Sequence, residues 1–304
     1  MAGFLGLDIR KLAGNRIQFT QTGLIDRLLA LTGMSECNSK ETPAASVPLS
    51  ADKDGPPRKE ADQWKYSAAV GMMMYLAQNS RPDIAFAVHQ CARVSHNPQA
   101  SHEEAVKRVC RYLKGTRSEG LIFEPDGDVL QLDCYVDADF AGNWGSEDPS
   151  NPVSVKSRTG FVIKLAGCPL IWCSKLQQMI ALSTTESEYL ALSYSMRSLL
   201  PLRNLAAELL SHLDKKFSGA VVKSTVFEDN NGCISMTKTK KISPRTKHIA
   251  THVHFFKSHI RSDANPDGDI EIEKIDTSLQ QADTMTKGLG AVQFKAIRKL
   301  LCGW

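Results

Sequence analysis

The chain has 304 residues, 42% of them hydrophobic, which is enough for two modest domains that each bury a core and excludes an intrinsically disordered chain. A formal net charge of +4 permits a nucleic-acid partner but is too weak to establish one. The eight cysteines include no C-x-x-C pair, no signal-like apolar run follows the N-terminus, and no apolar stretch is long enough to span a bilayer, so an intracellular, reducing setting without a membrane is expected.

In chain order, "FLGLDIRKLAGNRIQFTQ" reads as two strands around a turn at Ala13-Gly14-Asn15, and "TGLIDRLLALTGM" as an amphipathic helix ending near Gly33. The Pro-, Ser- and charge-rich segment from Cys37 to Asp62 reads as a surface connection. A helical block follows. "WKYSAAVGMMMYLAQNS" is apolar enough to be buried, and "RPDIAFAVHQCARVS" restarts at Pro82, whose missing N–H costs nothing in a first turn. The third helix of this block is expected to carry a capping box at Ser101 and Glu104 and to stop at Gly115. Val106, Val109, Cys110 and Leu113 form its apolar stripe, opposite a basic stripe of Lys107, Arg111 and Lys114 that is a solvated face or a phosphate contact.

From about Val129 the pattern changes to strands: "LQLDCYVDADF", "SRTGFVIKLAG" and "PLIWCSKLQQ". Residues i and i+2 of a strand share a face, so Asp133, Tyr135, Asp137 and Asp139 point one way and Leu132, Cys134, Val136 and Ala138 the other. "STTESEYLALSYSMRSLLPLRNLAAELL" is a long helix, kinked or restarted at Pro201. A fourth strand "VVKSTVFED", a short helix "NGCISMTK", a basic loop, a helix through "KHIATHVHFFKSHI", a fifth strand "DIEIEKI" and a last helix from about Gln281 complete the order. Three consecutive strands followed by strands alternating with helices imply an antiparallel start extended by parallel strands, a mixed α/β sheet.

Four acids fall at element ends in this layout: Asp137, Glu188, Asp229 and Asp283. Each alone is most simply a cap or a solvated charge. Gathered at one point they would repel one another and hold raised pKa values unless a cation sat among them. Mg²⁺, a hard ion that takes carboxylate oxygens, is the natural candidate, and two such ions can serve an in-line phosphoryl displacement.

The motifs "YVDADFAG", "SRTGFVIKLAGCPLIWCSKLQQMIALSTTESEYLAL", "FEDNNGCI", "RTKHI" and "QQADTMTKGL" together resemble the ribonuclease H domain of copia-type retrotransposon polyproteins. Upstream, the segment from "YSAAVGMMMYLAQNS" to "RSEGLIF" resembles the connection between reverse transcriptase and ribonuclease H, and "FLGLDI" through "TP" the end of the palm and the thumb. The resemblance implies a ribonuclease H-like mixed five-stranded sheet over residues 127–304, preceded by a smaller, mostly helical thumb and connection region over 1–126. It implies hydrolysis of the RNA strand of RNA/DNA hybrids with two Mg²⁺ ions, for which Mn²⁺ substitutes, held by Asp137, Glu188, Asp229 and Asp283. Asp139 and Glu186 lie close to two of these and compete for the assignment. Lys238, Lys240, Lys241, Arg245 and Lys247 are the expected nucleic-acid contacts, with a solvated loop as the plain alternative. Other parts of a Pol polyprotein are the implied partners, and a cytoplasmic virus-like particle or the nucleus the implied location.

Two departures from the family pattern stand out. The loop before the last helix, "DTSLQQ", lacks the histidine that many ribonucleases H place there, and the polymerase Asp-Asp pair of the family precedes the strand that resembles "FLGLDI", so polymerisation is not expected of this chain. Other readings remain at this point. His248 and His252 have a zinc-like i, i+4 spacing without a downstream C-x-x-C, and a hybrid-binding module without turnover, or a nuclease of another substrate class, would carry the same fold.

Overall fold

The computed structural model describes residues 5–51, 64–125, 130–215, 222–238 and 251–304, with side chains from residue 255 onward in the last segment. Its first elements are β1 (Asp8–Lys11), β2 (Ile17–Thr20), α1 (Thr22–Leu31), α2 (Tyr66–Asn79), α3 (Ala85–Arg93), α4 (Ala100–Gly115) and β3 (Leu121–Phe123). Then come β4 (Gln131–Asp139), β5 (Arg158–Leu165), β6 (Cys168–Leu176), α5 (Thr184–Leu213), β7 (Lys223–Glu228), α6 (Asn231–Lys238), β8 (Ile270–Lys274), α7 (Asp283–Thr286) and α8 (Ala291–Cys302). Contacts divide the chain into two compact units, one of Met1–Glu124, Ala141–Val155 and Thr284–Trp304, the other of Pro125–Phe140 and Lys156–Asp283. Residues 141–155 and 284–304, which a single cut at 126 assigns to the C-terminal part, therefore pack with the N-terminal residues.

In the first unit β1 and β2 form the expected hairpin, and β3, which sequence patterning did not show, adds to β2 antiparallel. The edge-to-face contact of Phe19 with Phe123, 4.9 Å between centroids, holds the added strand. Gly33 ends α1 with a φ of +67°, a conformation that a Cβ would strain. The capping box of α4 is not at Ser101 and Glu104. The helix starts at Ala100, so Gln99 is the N-cap and pairs reciprocally with His102. Val106, Val109, Cys110 and Leu113 are fully buried as expected, but the basic stripe is only half-exposed and Lys107 is paired with Glu103 at 2.8 Å and Glu104 at 3.1 Å.

This unit contains a fully buried ion pair. Arg81, 1% exposed, makes a two-pronged contact with Asp83 at 2.9 and 2.8 Å, and Tyr112 donates to the same carboxylate. The guanidinium also faces the Trp304 ring at 5.4 Å, while the Trp304 indole N–H donates to Gly120 O.

The second unit is a five-stranded sheet in the order β6-β5-β4-β7-β8, antiparallel across β6, β5 and β4 and parallel across β4, β7 and β8. This is the ribonuclease H-like mixed sheet. The alternation of β4 is as read: Leu132, Cys134 and Val136 are buried with Val226 of β7 and with Ala191, Leu192 and Met196 of α5, the helix that crosses β4 and β5. Helix α5 runs continuously from Thr184 to Leu213 with Pro201 inside it, so it does not restart there. The described part of the helix expected through "KHIATHV" is a 3-10 segment, Thr251–His259. The expected last helix is two pieces, α7 and α8, separated by "KGLG". The two glycines explain the break.

Candidate metal centre

Parallel pairing of β4 with β7 brings their C-terminal ends to one edge of the sheet. Tyr135 is the register partner of Phe227, and Asp137 and Asp229 each follow that pair by two residues. Glu188 enters from the first turns of α5, which packs on the face made by Leu132, Cys134 and Val136. One carboxylate oxygen from each of Asp137, Glu188 and Asp229 lies within 4.8 Å of the others. Three of the four expected acids thus form one group.

Asp283 is fully buried at the start of α7 and is not in that group. Its segment is nevertheless fixed to the same strand ends by Gln280, whose amide Nε2 donates to Val136 O at 2.9 Å and Phe227 O at 3.4 Å. Those carbonyls precede Asp137 by one residue and Asp229 by two.

The competing acids separate cleanly. Glu186 completes the N-terminal cap of α5: its own N–H donates to Ser183 Oγ at 3.2 Å, and its carboxylate accepts from Leu182 N at 2.8 Å. Asp139 pairs in register with Arg158 and lies outside the three-acid group. The loop "DTSLQQ" contributes Thr277, whose hydroxyl donates to Asp229 Oδ2 at 2.9 Å.

Sequence reasoning missed Glu228. It follows the core alternation of β7 behind Ser224 and Val226, and it is fully buried where a hydrophobic residue is the usual occupant. The signal available was the i, i+2 spacing with Val226, which puts Glu228 on the core face and Asp229 on the other. Glu228 Oε1 accepts from Asn230 N at 3.0 Å, and the buried Cys233 thiol lies against the same carboxylate.

Burial first, then the neighbouring charges of Glu228, Asp137 and Asp229, raise the Glu188 carboxyl to about 11, opposed by a hydrogen bond from the Ala138 backbone. Burial chiefly raises Glu228 to about 8, with Asp229 and Asp137 adding to it and the Asn230 N–H opposing. The protein fold therefore holds these acids where their ionised forms lack a counter-charge, and Glu188 Oε2 has no hydrogen-bond partner. A hard divalent cation fits such an all-carboxylate set.

No family model and no solved structure matches the chain. Among curated proteins it is 31% identical over 98% of its length to the retrovirus-related Pol polyprotein from transposon TNT 1-94 of Nicotiana tabacum. It is 32% identical over 96% of its length to the retrovirus-related Pol polyprotein from transposon RE1 of Arabidopsis thaliana.

The chain belongs to the copia-type retrotransposon Pol family. It spans 21% of the first of these Pol polyproteins and 18% of the second, about a fifth of their length. A shorter relative, the secreted RxLR effector protein 161 of Plasmopara viticola, is 42% identical over 42% of the chain and 84% of its own length. Of the basic residues expected to contact nucleic acid in this Pol segment, Lys238 is exposed at the end of α6, while Lys240, Lys241, Arg245 and Lys247 lie outside the described residues. The His248 and His252 side chains do so too. Among the described residues no helix is long and apolar enough to cross a membrane.

Proposed function

We propose that the second unit is a metal-dependent endonuclease that hydrolyses the RNA strand of RNA/DNA hybrids. The observation that carries the reading is the convergence of Asp137, Glu188 and Asp229 oxygens within 4.8 Å at the C-terminal edge of a ribonuclease H-like sheet. Asp137 and Asp229 would hold Mg²⁺, or Mn²⁺ in its place, between adjacent strand ends, with Glu188 completing the set from α5. A divalent ion bound there supplies Lewis acidity toward a phosphoryl oxygen and lowers the pKa of water.

The remaining work belongs to the protein. Thr277 orients Asp229 by donating to its Oδ2, and the Ala138 backbone orients Glu188. Gln280 fixes the segment that carries Asp283, the acid we assign to the second ion. Burial of Asp137 and Glu188, 3% and 6% exposed, keeps their oxygens out of competition with bulk water. Lys238, with Lys240, Lys241, Arg245 and Lys247, would meet the hybrid backbone, and affinity should fall with salt. The 2′-hydroxyl is the feature that separates RNA from DNA at such a site.

The reading carries with it a place beside the other parts of a Pol polyprotein, in a cytoplasmic virus-like particle or the nucleus. A substrate panel in Mg²⁺ tests it. Cutting of the RNA strand in an RNA/DNA hybrid, with duplex DNA, duplex RNA and single-stranded RNA left intact, is the expected result. Binding of the hybrid without cutting in any divalent metal would instead leave a hybrid-binding module.

A further inference from the structure

The loop between β8 and α7 brings the hydroxyl of Thr277 to an acid of the three-carboxylate group, and the loop is fixed at both ends. Pairing with β7 continues one residue past the end of β8, where Ile275 N donates to Glu228 O at 3.1 Å. Asp229 follows that contact by one residue and Thr277 by two. Asp276 Oδ1 then accepts from Ser278 N at 2.8 Å and from Ser278 Oγ at 2.6 Å, and Gln280 ties the far end to Val136 O at 2.9 Å. Thr277 thus opens a single 3-10 turn, Thr277–Leu279, held on either side. Its branched side chain has few χ1 choices, and its Oγ1 donates to Asp229 Oδ2 at 2.9 Å.

This bond bears on how Asp229 can meet a cation. Ca²⁺ takes about six to eight oxygens in flexible geometry and accepts a carboxylate by one or both of its oxygens. Mg²⁺ is smaller, demands near-octahedral geometry and keeps several waters, which suits one oxygen from each acid. With Oδ2 engaged by Thr277, Asp229 has Oδ1 to offer, and a donor on the second oxygen of a carboxylate stabilises that mode. An ion that needs both oxygens must break the bond. Asp137 and Glu188 are buried, whereas Asp229 is half-buried and Thr277 exposed. Asp229 is therefore the acid of the three with most room to change its mode of binding, and it is the one that the hydroxyl restrains.

We infer that Thr277 determines the metal specificity of the centre: it holds Asp229 to one oxygen and so favours Mg²⁺ and Mn²⁺ over Ca²⁺. The inference rests on the metal-dependent reading of the site and adds to it the residue that selects the ion. Thr277 acts through Asp229 and is a positioning residue.

The test follows free Mn²⁺ by electron paramagnetic resonance while Mg²⁺ or Ca²⁺ displaces it from the full chain, for the wild type, Thr277→Val, Thr277→Ala and Thr277→Ser. Valine keeps the branched shape without the hydroxyl, alanine removes the hydroxyl by a different truncation in case valine disturbs the loop, and serine restores the donor. The ratio of Ca²⁺ to Mg²⁺ affinity should rise about tenfold in Thr277→Val and Thr277→Ala, the size of one hydrogen bond to a charged group. Thr277→Ser should stay close to the wild type. A ratio unchanged in Thr277→Val and Thr277→Ala, including an equal weakening of every ion, or a ratio raised as much in Thr277→Ser, would overturn the inference and leave the metal centre standing. A wild type that is folded by circular dichroism and holds no displaceable Mn²⁺ would overturn the metal-dependent reading and the inference with it.

Discussion

Tyr135 and Phe227 are register partners on parallel strands, with their rings stacked at 4.8 Å and 21°, and each stands two residues ahead of an acid of the three-carboxylate group. This ring pair sets the relative height of β4 and β7, and hence of Asp137 and Asp229. A slip of one residue would send either acid to the opposite face. Phe227→Ala should cost about 1–3 kcal/mol, the aromatic pair plus part of the ring burial. It should also weaken Mn²⁺ binding measured by calorimetry. Unchanged Mn²⁺ affinity in a destabilised variant would show that the pair stabilises the sheet without registering the site.

Glu188 and Glu228 contribute a pH dependence to the stability of the metal-free protein. Both carboxyls are raised in the fold, Glu188 to about 11 and Glu228 to about 8, from an ordinary value of 4.5. The folded state therefore binds more protons than the unfolded chain above pH 4.5, so stability falls as pH rises. The two buried acids titrate as a coupled pair, and the stability they contribute in protonated form is lost progressively as the pH rises above 4.5. Each group can contribute a slope of at most about 1.4 kcal/mol per pH unit. Melting in chelator from pH 5 to 8 should show a falling midpoint, flatter in Glu188→Gln, and Mn²⁺ should stabilise more at pH 8 than at pH 5 because its binding displaces protons. A midpoint that rises over this range would contradict the burial of these acids.

Glu186 and Glu188 should behave as opposites despite their proximity. Glu186→Ala removes the carboxylate that caps Leu182 N and should cost about 1 kcal/mol while leaving Mn²⁺ affinity near wild type. Glu188→Gln should lose Mn²⁺ affinity and raise metal-free stability. Calorimetry and melting on both variants decide the assignment.

Gln280 is the positioning residue of the centre. Its amide satisfies the buried Val136 carbonyl and the half-buried Phe227 carbonyl, so Gln280→Leu should cost about 1–3 kcal/mol. Cleavage should drop by more than the metal affinity does, because the change acts on the placement of Asp283 and leaves the three-acid group in place.

In the first unit, Arg81→Ala leaves Asp83 buried without its counter-charge. Breaking such a pair costs about 3–5 kcal/mol. Scanning calorimetry should show a lowered transition, and removal of residues 291–304, which takes Trp304 from the Arg81 guanidinium, should lower it further.

The strands, the long helix and three of the acids were legible because each follows a local rule: period-two alternation in β4, a Ser183 cap before α5, and acids at element ends. What stayed hidden depends on distant residues. β3 has three residues and gains its identity from β2, and the packing of the tail near Arg81 joins residues more than 200 positions apart in sequence. The α4 cap was misplaced because Ser101 and Glu104 match the capping pattern while the helix begins one residue before Ser101. Glu228 was passed over because a glutamate beside an aspartate reads as exposed charge, whereas strand alternation turns the two to opposite faces.

Cleavage of an end-labelled RNA/DNA hybrid in Mg²⁺ by the wild type and by Asp137→Asn tests the proposed nuclease most directly. Asp137 is the acid of the three-carboxylate group that the central strand carries, and the substitution keeps its shape while removing its charge. RNA-strand cutting by the wild type and a loss of at least about a hundredfold in the variant are expected. Equal cutting by both proteins would contradict the metal centre, and no cutting by the wild type in Mg²⁺ or Mn²⁺ would contradict the enzyme.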